Sequence, residues 1–265
     1  MTPAEFFDAL ERLFQWRSFD LALYAGVLTR MSAIAFLAPG LGEQVVPMRV
    51  RLAAVFALTA IVGPSVASSS PADVPEAASF VRLVAAEAAV GLVIGFGLRA
   101  VIFVLQIAGS IAAQHMSLTQ LLGPGVGHDQ ESPLSTILIM AGLAAAASAN
   151  LHIYLAASLI DSYAAFPIGA LPKAAEAGAW ASSNAGDVIT LAFELSLPFV
   201  LLGVAYSLAL AATSRAMPQL MAAFVGAPAV IFAGMILFAT SSPVILGRWL
   251  PLLARVVADP SGGLR

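Results

Sequence analysis

The chain alternates long apolar stretches with short segments rich in Gly, Pro and Ser. A helix needs about 20 mostly apolar residues to cross the hydrocarbon core of a bilayer, because each residue advances it by only about 1.5 Å. Six stretches approach or exceed that length: 19–38, 52–66, 79–112, 134–160, 188–213 and 220–247. The segments between them carry Gly, Pro and Ser residues typical of turns, so we interpret them as loops and not as domain linkers. We predict an all-α, polytopic membrane-type protein of about six long apolar helices, organised as one domain over 1–265.

The two ends of the chain differ from this apolar middle. The first twenty residues carry six charged side chains, so they lack the apolar core of a signal peptide. Thr2 to Glu5 has the order of a capping box with Pro3 at the first helical position. We predict an amphipathic helix over 1–18 and a polar tail over 248–265. The helix would lie at the membrane interface, against a partner or against the chain's own core.

Composition supports a membrane environment. Hydrophobic residues make up 60% of the chain and charged residues only 10%, whereas soluble domains have about a quarter charged residues. The balance of 12 basic and 15 acidic residues provides no basic stripe for phosphates, so nucleic acid is not an expected partner. The absence of Cys excludes disulfides, thiol nucleophiles and thiolate metal sites.

The distribution of basic residues predicts an orientation. Cytoplasmic loops of membrane proteins carry an excess of Lys and Arg. If the amino end is cytoplasmic, seven basic residues fall on that side, namely Arg12, Arg17, Arg82, Lys173, Arg248, Arg255 and Arg265. Three fall on the other side, namely Arg49, Arg51 and Arg215. We therefore expect both ends of the chain on the inner side.

Five charged residues interrupt the apolar stretches: Asp20, Arg30, Glu87, Arg99 and Glu194. Each costs about 2.5 to 3.5 kcal/mol in lipid on insertion scales, so we expect these side chains to face protein or water. A proton or ion relay is one interpretation, and interhelical pairing is the other. Glu87 and Arg99 are too far apart to pair within one helix, so their partners are expected on other helices or chains.

Small residues and prolines mark the expected packing positions. Gly91 and Gly95 form a small-xxx-small face that lets another helix approach closely. Pro198 and Pro228 lie inside apolar stretches, where each removes a backbone hydrogen bond and is expected to kink its helix.

Catalytic and cofactor motifs are not recognisable in the sequence. His115, His128 and His152 lack the spacing of a zinc helix, and none has a carboxylate or a second His four residues on. No phosphate-binding loop or nucleophile elbow occurs in a strand-to-helix context. We expect no catalytic residue, no cofactor and no metal, and hence no enzyme.

Four sequence blocks resemble the FliR family of flagellar export proteins and its SctT counterparts in virulence-type III secretion. The first is FLAPGLG at 36–42 with VPMRVR at 46–51, which includes Arg51. The second runs from 109 to 116 into a loop that ends at Ser132 and Pro133. The third combines LHIYL at 151–155 with DSYAAFPIG at 161–169. The fourth and most specific is SRAMPQL at 214–220, which contains Ser214, Arg215, Pro218 and Gln219.

The resemblance implies a function in protein export. A member of this family would assemble with FliP-like and FliQ-like subunits into a helical, pore-forming gate of the flagellar basal body in the bacterial inner membrane. FlhB-like and FlhA-like export components are further expected partners, and unfolded flagellar proteins are the expected substrates. A virulence-type III secretion subunit and a secondary transporter or channel are the alternatives.

The segment between the third and fourth apolar stretches is the expected pore plug. It begins at Met116 and continues through Ser117, Thr119, Gly123, Pro124, Gly125 and Gly127 to Ser132 and Pro133. Irregular backbone at membrane depth is tolerated only when it is buried in protein or lines water. We predict that 116–132 obstructs the closed pore, with an ordinary exposed loop as the alternative.

The SRAMPQL block is expected to help the subunits assemble. Pro218 would stand in the first turn of the last helix, while Arg215 and Gln219 would bond to carbonyls or carboxylates of neighbouring subunits. A simple helix-breaking turn is the alternative. The other residues expected at packing or assembly positions are Arg51, Glu87, Gly91, Gly95, Arg99, Ser214 and Pro228.

Overall fold

A computed structural model describes residues 18–43, 46–69, 77–116, 132–216 and 222–259. These ranges contain seven α-helices and no strand, which confirms the all-α prediction. The helices are α1 (Ser18–Leu37), α2 (Met48–Ser69), α3 (Ala77–His115), α4 (Pro133–Ser148), α5 (Leu151–Ala165), α6 (Ala174–Ala216) and α7 (Ala222–Ala258). The amphipathic helix predicted over 1–18 lies almost entirely outside the described residues.

The helices agree with a multi-pass membrane protein. Four of them, α2, α3, α6 and α7, contain segments that are long and apolar enough to cross a bilayer. Helices α4 and α5 add a fifth crossing if they form one broken span. The fourth predicted stretch, 134–160, is thus divided, because Asn150 adopts a left-handed backbone with φ of 56° that ends the first helix.

The last helix extends further than the apolar pattern predicts. Helix α7 continues to Ala258, so the first eleven residues of the region assigned to a polar tail are helical. Trp249, Leu253 and Val257 are buried there, at helical spacing. The tail assignment overlooked this face because charged Arg248 and Arg255 alternate with the buried residues.

The described residues form two compact units. The first comprises residues up to 96 together with 156–177, and its core contains Val27, Met31 and Ile34 of α1 with Val90 and Ile94 of α3. Helices α1 and α2 pack closely because Gly63 leaves room for the ring of Tyr24, which a Cβ atom at position 63 would overlap.

The second unit comprises the described residues of 97–155 and 178–259. The Trp249 side chain of α7 is fully buried there, and its indole Nε1 donates to the Val101 carbonyl of α3 at 2.7 Å. Gly142 of α4 lies beside the same indole ring, and a Cβ atom at this position would stand 3.3 Å from it. One aromatic side chain therefore joins three helices of this unit.

Candidate functional site: a buried ion pair and the two ends of a loop

Two opposite charges meet in the core of the first unit. Arg30 of α1 and Glu87 of α3 are both 0% exposed. Arg30 Nε donates to Glu87 Oε2 at 2.7 Å, and Arg30 Nη2 donates to Glu87 Oε1 at 3.1 Å. This two-point geometry is the strongest form of an arginine–carboxylate contact. Glu87 thus finds its partner on another helix, as its distance from Arg99 along the chain predicts.

The pair also holds the end of α5 and the turn that follows it. Arg30 donates to Ser162 Oγ at 3.3 Å and to the Phe166 carbonyl at 2.9 Å, and its guanidinium carbon lies 3.7 Å from the centre of the Tyr163 ring. Glu87 Oε1 accepts the Gly169 N–H at 2.8 Å. Gly169 has φ of 78°, a conformation that favours glycine. The sequence did not predict these contacts, although all four residues belong to the DSYAAFPIG block.

These contacts are typical of an ion pair with a structural role. A buried charge is tolerated when its partner and its remaining hydrogen-bonding groups are satisfied. Arg30 and Glu87 meet this condition with groups from three elements, and both are sealed from solvent. A proton relay needs a path to water, so this geometry favours the pairing interpretation over the relay.

The glycine face of α3 lies against α1, next to the ion pair. A Cβ atom at Gly91 would stand 2.7 Å from the Arg30 carbonyl and from Ala33 Cβ. A Cβ atom at Gly95 would stand 2.9 Å from Leu37 Cβ. The two glycines therefore allow the close approach that brings the guanidinium of Arg30 to Glu87.

Arg51 and Arg99, which the sequence also indicated as packing residues, lie outside the Arg30–Glu87 site. Arg51 of α2 donates to the carbonyls of Leu41 and Glu43 at 2.9 and 3.1 Å, and so closes the turn before its own helix. Arg99 of α3 is half-buried, with its guanidinium carbon 5.4 Å from the centre of the Phe103 ring. Neither residue takes part in the Arg30–Glu87 site.

The start of the expected plug is anchored in the second unit. Met116, which follows α3, is fully buried against Gly234 of α7, where a Cβ atom would stand 2.5 Å from Met116 Cγ. The preceding His115 packs against Gly203 of α6, where a Cβ atom would stand 2.5 Å from His115 Nδ1. Two glycines on different helices thus receive the last two side chains before the loop.

The end of the loop is anchored by a cluster of serines. Ser132 caps α4, since its Oγ accepts the Ser135 N–H at 3.1 Å, and Pro133 occupies the first turn. Ser132 Oγ also donates to the Gly109 carbonyl at 3.3 Å, and Ser135 Oγ donates to the Gln106 carbonyl at 2.9 Å. Ser110 Oγ lies 3.0 Å from Ser135 Oγ. Ser135 was not singled out from the sequence, because a lone serine in an apolar helix carries no distinctive pattern.

Both ends of the loop are therefore attached close to the carboxyl end of α3. Most of the loop, including Ser117, Thr119, Gly123, Pro124, Gly125 and Gly127, lies outside the described residues.

The tight contact at Gly109 leads to a stability prediction. A Cβ atom there would stand 2.5 Å from Ser135 Cα, which is backbone and cannot move aside cheaply. We expect Gly109→Ala to lower the free energy of unfolding by about 1 to 3 kcal/mol. Gly186→Ala is the matched control, because no atom lies within 4 Å of its Cβ position and Ala favours a helix by up to about 1 kcal/mol. Thermal unfolding in detergent measures both, and equal midpoints would contradict the prediction.

The SRAMPQL block is only partly described. Ser214 and Arg215 are exposed at the end of α6, and the Ser214 hydroxyl donates to the Leu210 carbonyl at 2.8 Å. The Arg215 side chain makes no hydrogen bond or ion pair with another described residue. Pro218 and Gln219 lie outside the described residues, and Pro228 is exposed within α7.

Within the described part of the chain, no three His, Asp or Glu side chains are close enough together to hold a metal ion. The arrangement instead provides buried charge pairing, glycine-mediated helix packing and an anchored loop.

Together these features define a multi-pass helical membrane protein with an internally paired core and extensive exposed apolar surface. Residues 21–256 match the family described as Bacterial export proteins, family 1. The chain is 31% identical over 235 residues to the flagellar biosynthetic protein FliR of Escherichia coli K12, covering 87% of this chain and 88% of that protein. It is 27% identical over 234 residues to the flagellar biosynthetic protein FliR of Caulobacter vibrioides. This match covers 88% of this chain and 93% of that protein. The chain belongs to the FliR family, and it is a component of the flagellar export apparatus.

Proposed function

We propose that this chain is a core subunit of the export gate itself, and that it forms with FliP-like and FliQ-like subunits the pore for unfolded flagellar proteins. The similarity to two flagellar biosynthetic proteins along almost the whole chain carries this proposal. FlhB-like and FlhA-like components are further proposed partners, and the bacterial inner membrane at the basal body is the proposed location.

The exposed surface supports a role within an assembly. Helices α6 and α7 bury few of the residues in their apolar segments, and large side chains such as Leu201, Leu208 and Phe232 are about two-thirds exposed. An apolar surface of this kind needs lipid or protein around it. A gate subunit would cover part of it with neighbouring chains.

Co-purification tests the assembly. The tagged chain is coexpressed with its FliP-like and FliQ-like neighbours, and the complex is isolated in detergent. A stable complex that contains all three subunits is the expected result. A chain that elutes alone as a monodisperse particle would contradict the proposal and favour the transporter alternative, which solute-binding measurements would then test.

The loop at 116–132 is the proposed plug of this pore. Ser132 is bonded to Gly109, which lies seven residues before Met116, or about 10 Å along α3. The fifteen intervening residues can extend about 50 Å. They are thus much longer than the distance between their anchors requires, and the excess length is available to enter a lumen.

The exposed guanidinium of Arg215 is a proposed assembly contact. A planar guanidinium can donate two parallel hydrogen bonds to a carboxylate, which the point charge of Lys cannot reproduce. We expect Arg215→Lys to reduce recovery of the complex several-fold while the isolated chain stays folded. Arg248→Lys, at another exposed arginine on α7, is the control. Normal recovery of the complex with the Arg215 variant would exclude this contact.

A further inference from the structure

Helix α6 has a buried inner face and a separate, exposed apolar face. The inner face packs in the second unit through Val188, Ala192, Ser196, Phe199 and Gly203. The outer face consists of Ile189, Phe193, Leu197, Leu201, Val204 and Leu208, whose side chains are between 40% and 67% exposed. An exposed apolar face of this length requires lipid or protein to cover it. The residues on and beside the outer face indicate whether lipid or protein covers it.

Glu194 lies beside this outer face. At about 100° per residue, its side chain is roughly 70° from the middle of the outer face and roughly 160° from the middle of the inner face. It is exposed and makes no hydrogen bond or ion pair with the described residues. Charged side chains within membrane helices generally face protein or water instead of lipid. Acyl chains alone are therefore an unsuitable cover for this part of α6.

Pro198 adds a second acceptor at the same place. It lies four residues after Glu194, inside the helix, and has no N–H to donate to the Glu194 carbonyl. The carboxylate and the backbone carbonyl of one residue thus both need a donor, next to an apolar surface. Once a neighbouring helix covers them, acceptors of this kind must be satisfied, because an unpaired buried acceptor is costly.

We propose that the outer face of α6 docks an apolar helix of a neighbouring subunit that carries an Arg or Lys at the level of Glu194. The cation would pair with the carboxylate and donate to the freed carbonyl, while apolar side chains of that helix cover Phe193, Leu197 and Leu201. Both cations carry several N–H donors, and Arg suits this pair of acceptors best. The inference rests on the proposed gate assembly, since it requires a neighbouring chain.

Three substitutions at one position test the inference. Glu194→Gln, Glu194→Leu and Glu194→Lys are each coexpressed with the FliP-like and FliQ-like neighbours, and recovery of the complex is measured. We expect a several-fold loss with Gln, a larger loss with Leu and no complex with Lys. Glu176→Gln is the matched control, because it removes an exposed carboxylate from the same side of α6, five turns away.

The same variants distinguish docking from folding. Glu194 makes no hydrogen bond or ion pair with the described residues, so thermal unfolding of each purified variant alone should stay close to that of the wild-type chain. If Glu194→Leu forms the complex as well as the wild-type chain does, the outer face is lipid-facing and the inference is wrong. If the wild-type chain forms no complex, the proposed gate assembly is itself wrong.

Cysteine cross-linking identifies the occupant. The chain contains no Cys, so Leu197→Cys introduces a single thiol on the outer face. Disulfide formation with a cysteine placed beside an Arg or Lys of a neighbouring subunit's apolar helix is the expected result. Replacing that basic residue with Glu should restore the complex of the Glu194→Lys variant. A disulfide-linked pair of this chain would show that a second copy covers the face, and would overturn the inference.

Discussion

Glu87→Leu is expected to lower the free energy of unfolding by about 3 to 5 kcal/mol, because it leaves the fully buried Arg30 guanidinium without a counter-charge. The substitution also removes the acceptor of the Gly169 N–H, which lies in the turn after α5. A loss of this size is a large fraction of the stability of a typical protein. We therefore expect little folded chain in membranes and a strongly lowered unfolding midpoint in detergent.

The double variant Arg30→Met with Glu87→Leu provides the decisive comparison. Replacing both members of a buried ion pair with apolar side chains leaves no unpaired charge and is often tolerated. We expect it to be more stable than either single variant, although Ser162 and the Phe166 carbonyl lose their donors. The control is Glu176→Gln, which removes an exposed carboxylate paired with Lys173 and should change little.

Glu87→Gln separates the two interpretations of the pair. If Arg30 and Glu87 relayed protons, the amide variant would fold normally and lose export. A structural pair predicts instead that Glu87→Gln lowers the amount of folded protein. Export would then fall in proportion to the amount of folded protein. A stable Glu87→Gln chain that assembles but supports no flagellar export would contradict the structural assignment.

Deleting residues 123–127 is expected to make the assembled gate leak ions several-fold more than the wild-type gate. The deletion removes three glycines and one proline from the proposed plug, while both anchors, Met116 with Gly234 and Ser132 with Gly109, are retained. The remaining ten residues still join the anchors, since they can extend about 35 Å. Helix packing should therefore persist while the lumen is less filled.

Ion leak can be followed as membrane depolarisation in cells that express the chain with its neighbours. The same deletion without the neighbours is the control, because a lumen formed by several subunits cannot leak when they are absent. Leak from the chain alone would favour the channel alternative. An assembled gate with the deletion and no added leak would show that 116–132 is an ordinary loop.

Helix formation in this chain follows from local physics. Apolar stretches of twenty or more residues with few charges form helices in nearly any apolar surrounding, because the backbone must satisfy its own hydrogen bonds there. This is why the all-α class and the long helices were predictable. The break at Asn150 was less predictable, because Ala and Leu on both sides favour helix and only one left-handed residue interrupts them.

The sequence also identified residues that are unusual in apolar helices and therefore need a specific structural partner. Arg30 and Glu87 are conspicuous as lone charges in apolar helices, and the small residues Gly91 and Gly95 mark a close helix contact. The SRAMPQL block and the three other sequence blocks indicated the FliR family. The family match and the similarity to two FliR proteins confirm it.

Which groups meet was decided by three-dimensional packing. Arg30, Glu87 and Gly169 are separated by 57 and 82 residues, and no periodicity within a helix encodes such distances. Likewise, Ser135 becomes part of a loop anchor because Gly109 lets α4 approach α3 closely, and Trp249 is buried where α3, α4 and α7 meet, beside Gly142. Hydropathy thus sufficed to predict helices in a membrane, since that choice depends on local composition. The pairing of charges and the anchoring of the loop depend on contacts between distant segments, which form only when the helices pack.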